Sequence, residues 1–141
     1  MKKVLFLDRD GIINVDHGYV YKTEEFEFIP EIFDVCIHAR DLGYHIIVIT
    51  NQSGIARGKY SVAEFDALSK WMCEQFEQQG VIIDDVFHCP HHPTKGKGNL
   101  LKVCDCRKPE PGMILSAAKK HNVDLNNSIF IGDKISDMQA A

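Results

Sequence analysis

Two aspartates, Asp8 and Asp10, follow directly on the apolar run Val4–Leu7. Their spacing puts both carboxylates on one side of an extended segment. Neighbouring carboxylates repel, so such a pair needs either a cation to join them or a retained proton. Asp133 follows the apolar segment Ser128–Ile131 in the same way, with Asp137 shortly after it. An oxygen-donor set of this kind suits hard, hydrated Mg²⁺. A carboxylate on a rigid strand end can also attack phosphorus and split one difficult displacement into two easier ones. Asp8 is then the candidate nucleophile, and Asp10 the acid that protonates the leaving oxygen and the base that later activates water. The Thr50 hydroxyl, nearby backbone N–H groups and the Lys108 ammonium would hold phosphoryl oxygens as charge shifts in the transition state. Lys134 would either add charge there or stand solvated. Taken alone, D-x-D at a strand end is equally a solvated turn. The recurrence of polar residues after apolar segments, at Asp8/Asp10, Thr50/Asn51/Ser53, Arg107/Lys108 and Asp133/Asp137, argues for chemistry instead.

A second constellation is Cys89-Pro90-His91, twelve intervening residues, then Cys104-Asp105-Cys106. Three thiolates and one imidazole make a closed tetrahedral set, the kind that holds a structural Zn²⁺ with no position open to water. Five cysteines are an odd number in a chain with no recognisable export signal, which makes disulfide or redox use the weaker alternative. His88 and His92 are the other available imidazoles. His91 is preferred because its one-residue spacer mirrors that of Cys104 and Cys106. Because Cys106 adjoins Arg107 and Lys108, a metal fixing this loop would also fix the two cations beside it. Cys36 and Cys73 fall on helical patterns and are expected to be small core residues.

The elements that must position these groups alternate. Val4–Leu7, His45–Ile49, the weaker Asp85–His88 and Ser128–Ile131 read as buried strands. Pro30 and Glu31 open a helical pattern with Ile32, Val35, Cys36, Ala39 and Leu42 on its inner face, closed by Gly43. Ser61 and Glu64 form a capping box ahead of Phe65, Leu68, Met72 and Phe76, and Gly80 stops that run. Residues 89–108 form a long loop needing its own anchor. Pro111 fits the first turn of a helix through about His121, with Ile114, Leu115 and Ala118 turned inward. Strands that are apolar throughout and alternate with helices predict an α/β fold, a doubly wound, Rossmann-like parallel sheet covered on both faces. The pattern after Asp133 starts a helix over Ile135–Ala141 where a further strand is expected, which reads as a truncated C-terminus leaving the fourth strand as an exposed edge.

At 141 residues one domain, 1–141, accommodates everything, with no internal repeat or linker. Hydrophobic residues at 45% and charged residues at 26% exclude disorder and fibrous repeats. No apolar run approaches a membrane span. The N-terminal apolar segment is too short for a signal peptide, so a cytoplasmic protein is expected. A net charge of −4 without a basic stripe argues against nucleic acid as a partner.

These motifs resemble those of the haloacid dehalogenase-like (HAD) superfamily of phosphohydrolases. Asp8-Arg9-Asp10-Gly11 is similar to its first motif, Thr50-Asn51 to its second, Arg107-Lys108 to its third, and Gly132-Asp133 with Asp137 to its fourth. Residues 13–20, 50–58, 89–93 and 104–109 resemble more closely the branch that removes the 7-phosphate of a heptose bisphosphate on the route to ADP-heptose for lipopolysaccharide. The resemblance implies a Mg²⁺-dependent enzyme with no large cap domain, acting on a small sugar phosphate, and a monomer is expected. It implies Asp8 as nucleophile, Asp10 as proton donor, Thr50 and Lys108 as phosphoryl stabilisers and Arg107 in substrate recognition. Asp16, His17, Gly18, Tyr19, Thr50, Asn51, Gln52, Ser53, Arg107, Lys108 and Lys134 would line the substrate site. Mg²⁺ would be held by Asp8, Asp133 and the Asp10 carbonyl, and zinc by Cys89, His91, Cys104 and Cys106. Histidinol-phosphate phosphatase, a polynucleotide 3′-phosphatase and a zinc-stabilised module without catalysis are the rival readings.

Overall fold

The computed structural model describes residues 2–89 and 112–132. Its centre is a four-stranded parallel sheet in the order β3-β2-β1-β4, built from β1 (Val4–Leu7), β2 (His45–Asn51), β3 (Asp85–Cys89) and β4 (Ile129–Ile131). β1 pairs with β2 from Val4 opposite His45 to Leu7 opposite Val48, and with β4 from Leu5 opposite Ile129 to Leu7 opposite Ile131. β2 pairs with β3 from Ile47 opposite Asp85 to Asn51 opposite Cys89.

Alternation of side chains divides the strands between two layers. Leu5, Leu7, Ile46 and Val48 pack with Ile32, Cys36 and Ala39 of α1 (Glu31–Asp41) and with Leu68, Met72 and Phe76 of α3 (Val62–Gln78). Val4, Phe6, Ile47 and Ile49 pack instead with Met113, Ile114 and Ala117 of α4 (Gly112–His121). β1 and β2 are therefore apolar along their length because both of their faces are covered. The same does not hold at the margins. β3 is only half-buried before Cys89, and Ile129 of β4 is 48% exposed.

Ser61 caps α3 in a reciprocal box with Glu64, as its sequence predicts. Other boundaries differ. β2 runs on to include Thr50 and Asn51, β3 takes in Cys89, and β4 begins at Ile129 because the Ser128 hydroxyl accepts from the Val4 N–H at 3.0 Å instead of sitting in the strand. α1 buries the stripe Ile32, Cys36 and Ala39, leaving Val35 and Leu42 exposed at its flanks. α4 buries Met113, Ile114 and Ala117, so the expected inner residue Leu115 points outward and Ala118 is only partly covered. A short helix, α2 (Ser53–Ala56), follows β2 where the sequence predicts only a strand end. The expected helix over residues 135–141 and the loop from residue 90 onward lie outside the described residues, as does the expectation of truncation. None of the described helices is long and apolar enough to cross a membrane.

Candidate active site

At the carboxyl end of β1 the chain turns sharply. The Asp8 N–H donates to the Ile131 carbonyl, and the Arg9 carbonyl receives the N–H groups of Ile12, Ile13 and Asn14. This loop buries polar side chains that need internal partners. Asp8 is buried, and its Oδ1 accepts the Arg9 N–H at 2.9 Å. Arg9 is buried as well. Its Nε and Nη2 donate to Asp10 Oδ1 at 3.1 and 2.8 Å, and Nη2 also reaches the Val20 carbonyl. Asn14 Nδ2 adds a third donor to the same oxygen at 3.0 Å. The Arg9 guanidinium lies over the rings of Phe26 and Phe65. Thus the residue between the two aspartates fixes the second of them.

The end of β2 supplies the facing groups. Thr50 and Gln52 are both buried. Gln52 Nε2 donates to Thr50 Oγ1 at 2.9 Å and to Asp10 Oδ2 at 3.2 Å. The Tyr60 hydroxyl donates to Gln52 Oε1, and the Gln52 N–H donates to the Cys89 carbonyl at 2.8 Å. Burial pushes the Tyr60 phenol up to about 12, with Arg9 opposing and Asp10 and Tyr19 adding to the rise. It therefore remains a hydroxyl donor at neutral pH.

A polar cavity of about 250 Å³ opens here, lined by Asp10, Asn51 and Gln52, by Asp16, Gly18 and Tyr19, and by Gly54 and Tyr60. Asp16 Oδ1 accepts the Gly18 N–H at 3.0 Å in a turn where Gly18 and Tyr19 both have positive φ, 82° and 51°. For tyrosine that conformation is strained and needs support from its surroundings. The Arg57 and Lys59 cations lie 5.8 and 5.7 Å from its ring centroid. The Tyr60 ring stacks on Tyr21 at 5.3 Å. A larger cavity of about 420 Å³, lined by Tyr44, His45, Val81 and Asp84 among others, sits where β2 begins. The smaller one is the chemical candidate, because parallel sheets bind ligands beyond the carboxyl ends of their strands.

Of the residues expected at the site, Asp10, Asp16, Gly18, Tyr19, Asn51 and Gln52 line this cavity together, and Thr50 joins them through Gln52. His17 is exposed and faces Glu27 at 3.2 Å. Ser53 opens α2. His91, Cys104, Cys106, Arg107, Lys108, Asp133, Lys134 and Asp137 lie outside the described residues. Cys89 is buried at the end of β3 and is disulfide-bonded. His88 lies in β3 with its ring 4.5 Å from that of Phe65. No group of three or more metal-binding side chains gathers among the described residues. Cys36 and Cys73 pack in or against the core, where burial pushes their thiols up to about 12 and about 11. Sequence reasoning missed Arg9, Asn14 and Tyr60, whose parts depend on contacts across the fold.

The family model described as polynucleotide kinase 3 phosphatase matches residues 3–140. D-glycero-beta-D-manno-heptose-1,7-bisphosphate 7-phosphatase of Vibrio cholerae is 49% identical over 140 residues, covering 99% of this chain and 75% of the relative. A crystal structure described as a putative HAD-like phosphatase from Mesorhizobium loti superposes with a TM-score of 0.92 at 40% identity, covering 99% of this chain and 66% of the other. The D,D-heptose 1,7-bisphosphate phosphatase of B. bronchiseptica, complexed with magnesium and phosphate, gives 0.84 at 35% identity, covering 99% and 74%. The chain therefore spans about two thirds to three quarters of the length of these relatives.

Proposed function

The chain belongs to the polynucleotide kinase 3 phosphatase family of HAD-like phosphatases, and from that premise we propose that it removes the 7-phosphate of D-glycero-β-D-manno-heptose 1,7-bisphosphate. The observation that carries this reading is the linkage of Asp10 and Thr50 through Gln52 beside a polar cavity at the strand ends, in a chain this close to heptose bisphosphate phosphatases. An Asp8 carboxylate oxygen attacks phosphorus as the bond from phosphorus to the sugar O7 breaks, and Asp10 delivers a proton to that oxygen. Water then attacks the aspartyl-phosphate, Asp10 takes its proton, and the bond to Asp8 breaks to free phosphate and the carboxylate. Thr50, with Lys108, stabilises the equatorial oxygens, and Arg107 with residues 16–19 and Lys134 recognises the sugar phosphate.

The donor set fits a hard divalent cation, because the Asp8 carboxylate and the Asp10 carbonyl, with Asp133, offer oxygen alone. Mg²⁺ bound there would supply charge neutralisation for the transferring phosphoryl group. Zinc is assigned to Cys89, His91, Cys104 and Cys106. Cys89, the one member of this set among the described residues, is buried and disulfide-bonded at the end of β3, and reduction would free its thiolate for a metal. Reduced protein should bind one zinc per chain, and stripping it while keeping Mg²⁺ should lower both the unfolding midpoint and turnover. Elemental analysis that finds no zinc, with melting unchanged by a chelator, would remove the assignment. We further place the enzyme in the cytoplasm as a monomer that does not bind nucleic acid, with residues 1–141 as one phosphatase domain.

The deciding experiment is phosphate release with Mg²⁺ from heptose 1,7-bisphosphate and from histidinol phosphate, with Asp8→Asn as the blank. The heptose ester should be preferred, and Asp8→Asn should lose at least ~10³-fold in turnover while keeping its fold. Preference for histidinol phosphate would overturn the substrate, and turnover surviving in Asp8→Asn would overturn the mechanism.

A further inference from the structure

Three N–H groups, two from Arg9 and one from Asn14, converge on Asp10 Oδ1, while Oδ2 accepts the Gln52 amide. The less encumbered oxygen, through which Asp10 meets the substrate, is therefore Oδ2, in a residue that lines the cavity. Its direction is set by Gln52. Both hydrogens of the Gln52 amide are occupied, one by Asp10 Oδ2 and one by Thr50 Oγ1, and its backbone N–H is held by the Cys89 carbonyl. Oε1 receives the Tyr60 hydroxyl, and Tyr60 is itself stacked on Tyr21. If the amide turned over, Oε1 would meet the acceptor-only Asp10 carboxylate oxygen, so Asp10 selects the amide orientation and the Tyr60 hydroxyl, donating to Oε1, holds it there.

We propose that Gln52 is a positioning residue, held by Tyr60, that keeps Asp10 and Thr50 in register for phosphoryl transfer and does not serve as a substrate ligand. This inference rests on the phosphatase reading above, in which Asp10 exchanges the proton and Thr50 holds the phosphoryl group. It departs from the expectation that Gln52 contacts substrate. A carboxylic acid displaced by a fraction of an ångström donates its proton poorly, and the loss is felt most by an ester whose leaving oxygen must be protonated.

The test compares the Mg²⁺-supplemented wild type with Gln52→Met and Tyr60→Phe, on heptose 1,7-bisphosphate and on p-nitrophenyl phosphate, whose leaving group needs little protonation. For the sugar ester, Gln52→Met should lower kcat about 10- to 100-fold with KM changed less than about threefold. The fall on p-nitrophenyl phosphate should be several-fold smaller, and Tyr60→Phe should show the same pattern to a lesser degree. Should Gln52→Met fail to fold by far-ultraviolet circular dichroism, Tyr60→Phe carries the comparison. A rise in KM with kcat intact would make Gln52 a substrate ligand, and equal falls on both esters would reduce it to a general structural part. Either result overturns the proposal. If histidinol phosphate is the ester cleaved, it replaces the sugar as the alkyl leaving group, so the substrate assignment fails while the positioning role is still read. A folded protein that cleaves none of these esters overturns both.

Discussion

Gly54 shows how closely the site is packed at the scale of single residues. A methyl group there would stand 2.3 Å from Tyr60 Cε1 and 2.9 Å from Tyr19 Cδ1. Helix propensity alone favours alanine in α2 by about 0.5–1 kcal/mol. The overlap outweighs it, because the Tyr60 ring is held on Tyr21 and tied to Gln52 and so has nowhere cheap to move. Gly54→Ala should cost about 1–3 kcal/mol, as small-to-large changes in packed sites do, and should lower kcat by disturbing the Gln52 amide. Urea denaturation with parallel kinetics checks this, and a variant more stable than wild type would refute it. The same neighbourhood marks what can be read from sequence. The positions of Asp8, Asp10 and Thr50 at strand ends are legible because polar residues interrupt the apolar runs there. The roles of Arg9, Asn14 and Tyr60 are not, since a guanidinium buried over Phe26 and Phe65, or a tyrosine eight residues from the amide it holds, appears only once the loops are folded together.

At the scale of elements, α4 is fastened to the sheet through Asp85 at the start of β3. Lys120 Nζ and His121 Nε2 meet Asp85 Oδ2 at 2.7 and 2.9 Å, and the Val86 N–H meets Oδ1 at 2.8 Å. Partial burial raises the Asp85 pKa, but the hydrogen bonds from Lys120, His121 and Val86 outweigh it and hold the carboxyl below its ordinary 3.8. A carboxyl depressed by folding contributes stability that is present above 3.8 and is lost as pH falls from there through the lower folded value. Lys120 is largely exposed and its share is screened, so His121 and the Val86 N–H dominate. Asp85→Asn should cost about 1–2 kcal/mol at pH 7. Its penalty should shrink as pH falls from 3.8 through the lower folded value. Unfolding free energies across that range decide the matter, and a penalty unchanged with pH would show that the clasp is not ionic. The helix itself is legible in the sequence, as is the capping box at Ser61, because both rest on local pattern. The inner faces are less so. Val35, Leu42 and Leu115 satisfy helical spacing yet stay exposed, since the narrow stripe each helix lays on the sheet accommodates only Ile32, Cys36 and Ala39 on α1 and Met113, Ile114 and Ala117 on α4.

For the whole molecule, the decisive property is that β1 and β2 serve both layers at once. Alternating residues of the same strands reach α1 and α3 on one side and α4 on the other, so neither layer can part from the sheet without exposing the backs of the strands that hold the other. This architecture is legible because continuous apolar strands alternating with amphipathic helices admit few other arrangements. It also puts the strand ends to which we assign the phosphatase chemistry under the support of both layers, far along the chain from much of the core beneath them. Phe76 is a case in point. Fully buried on α3, it packs its ring 5.9 Å from Phe28 and 5.1 Å from Phe33. Truncating it to alanine should cost about 3–5 kcal/mol, a large share of the roughly 5–15 kcal/mol typical of a domain's stability. Trp71, the single tryptophan, lies in the same layer with its ring 5.6 Å from Phe26 and 5.8 Å from Phe28, and so reports on that layer alone. If the two layers are one cooperative unit, the Phe76→Ala protein should unfold earlier in urea, with Trp71 fluorescence and far-ultraviolet ellipticity keeping a common midpoint. Its KM should remain that of the wild type, because the folded fraction retains an intact site. A fluorescence transition that precedes the ellipticity transition would mean that the α1 and α3 layer opens by itself, and the strands shared with α4 would then not couple the two faces.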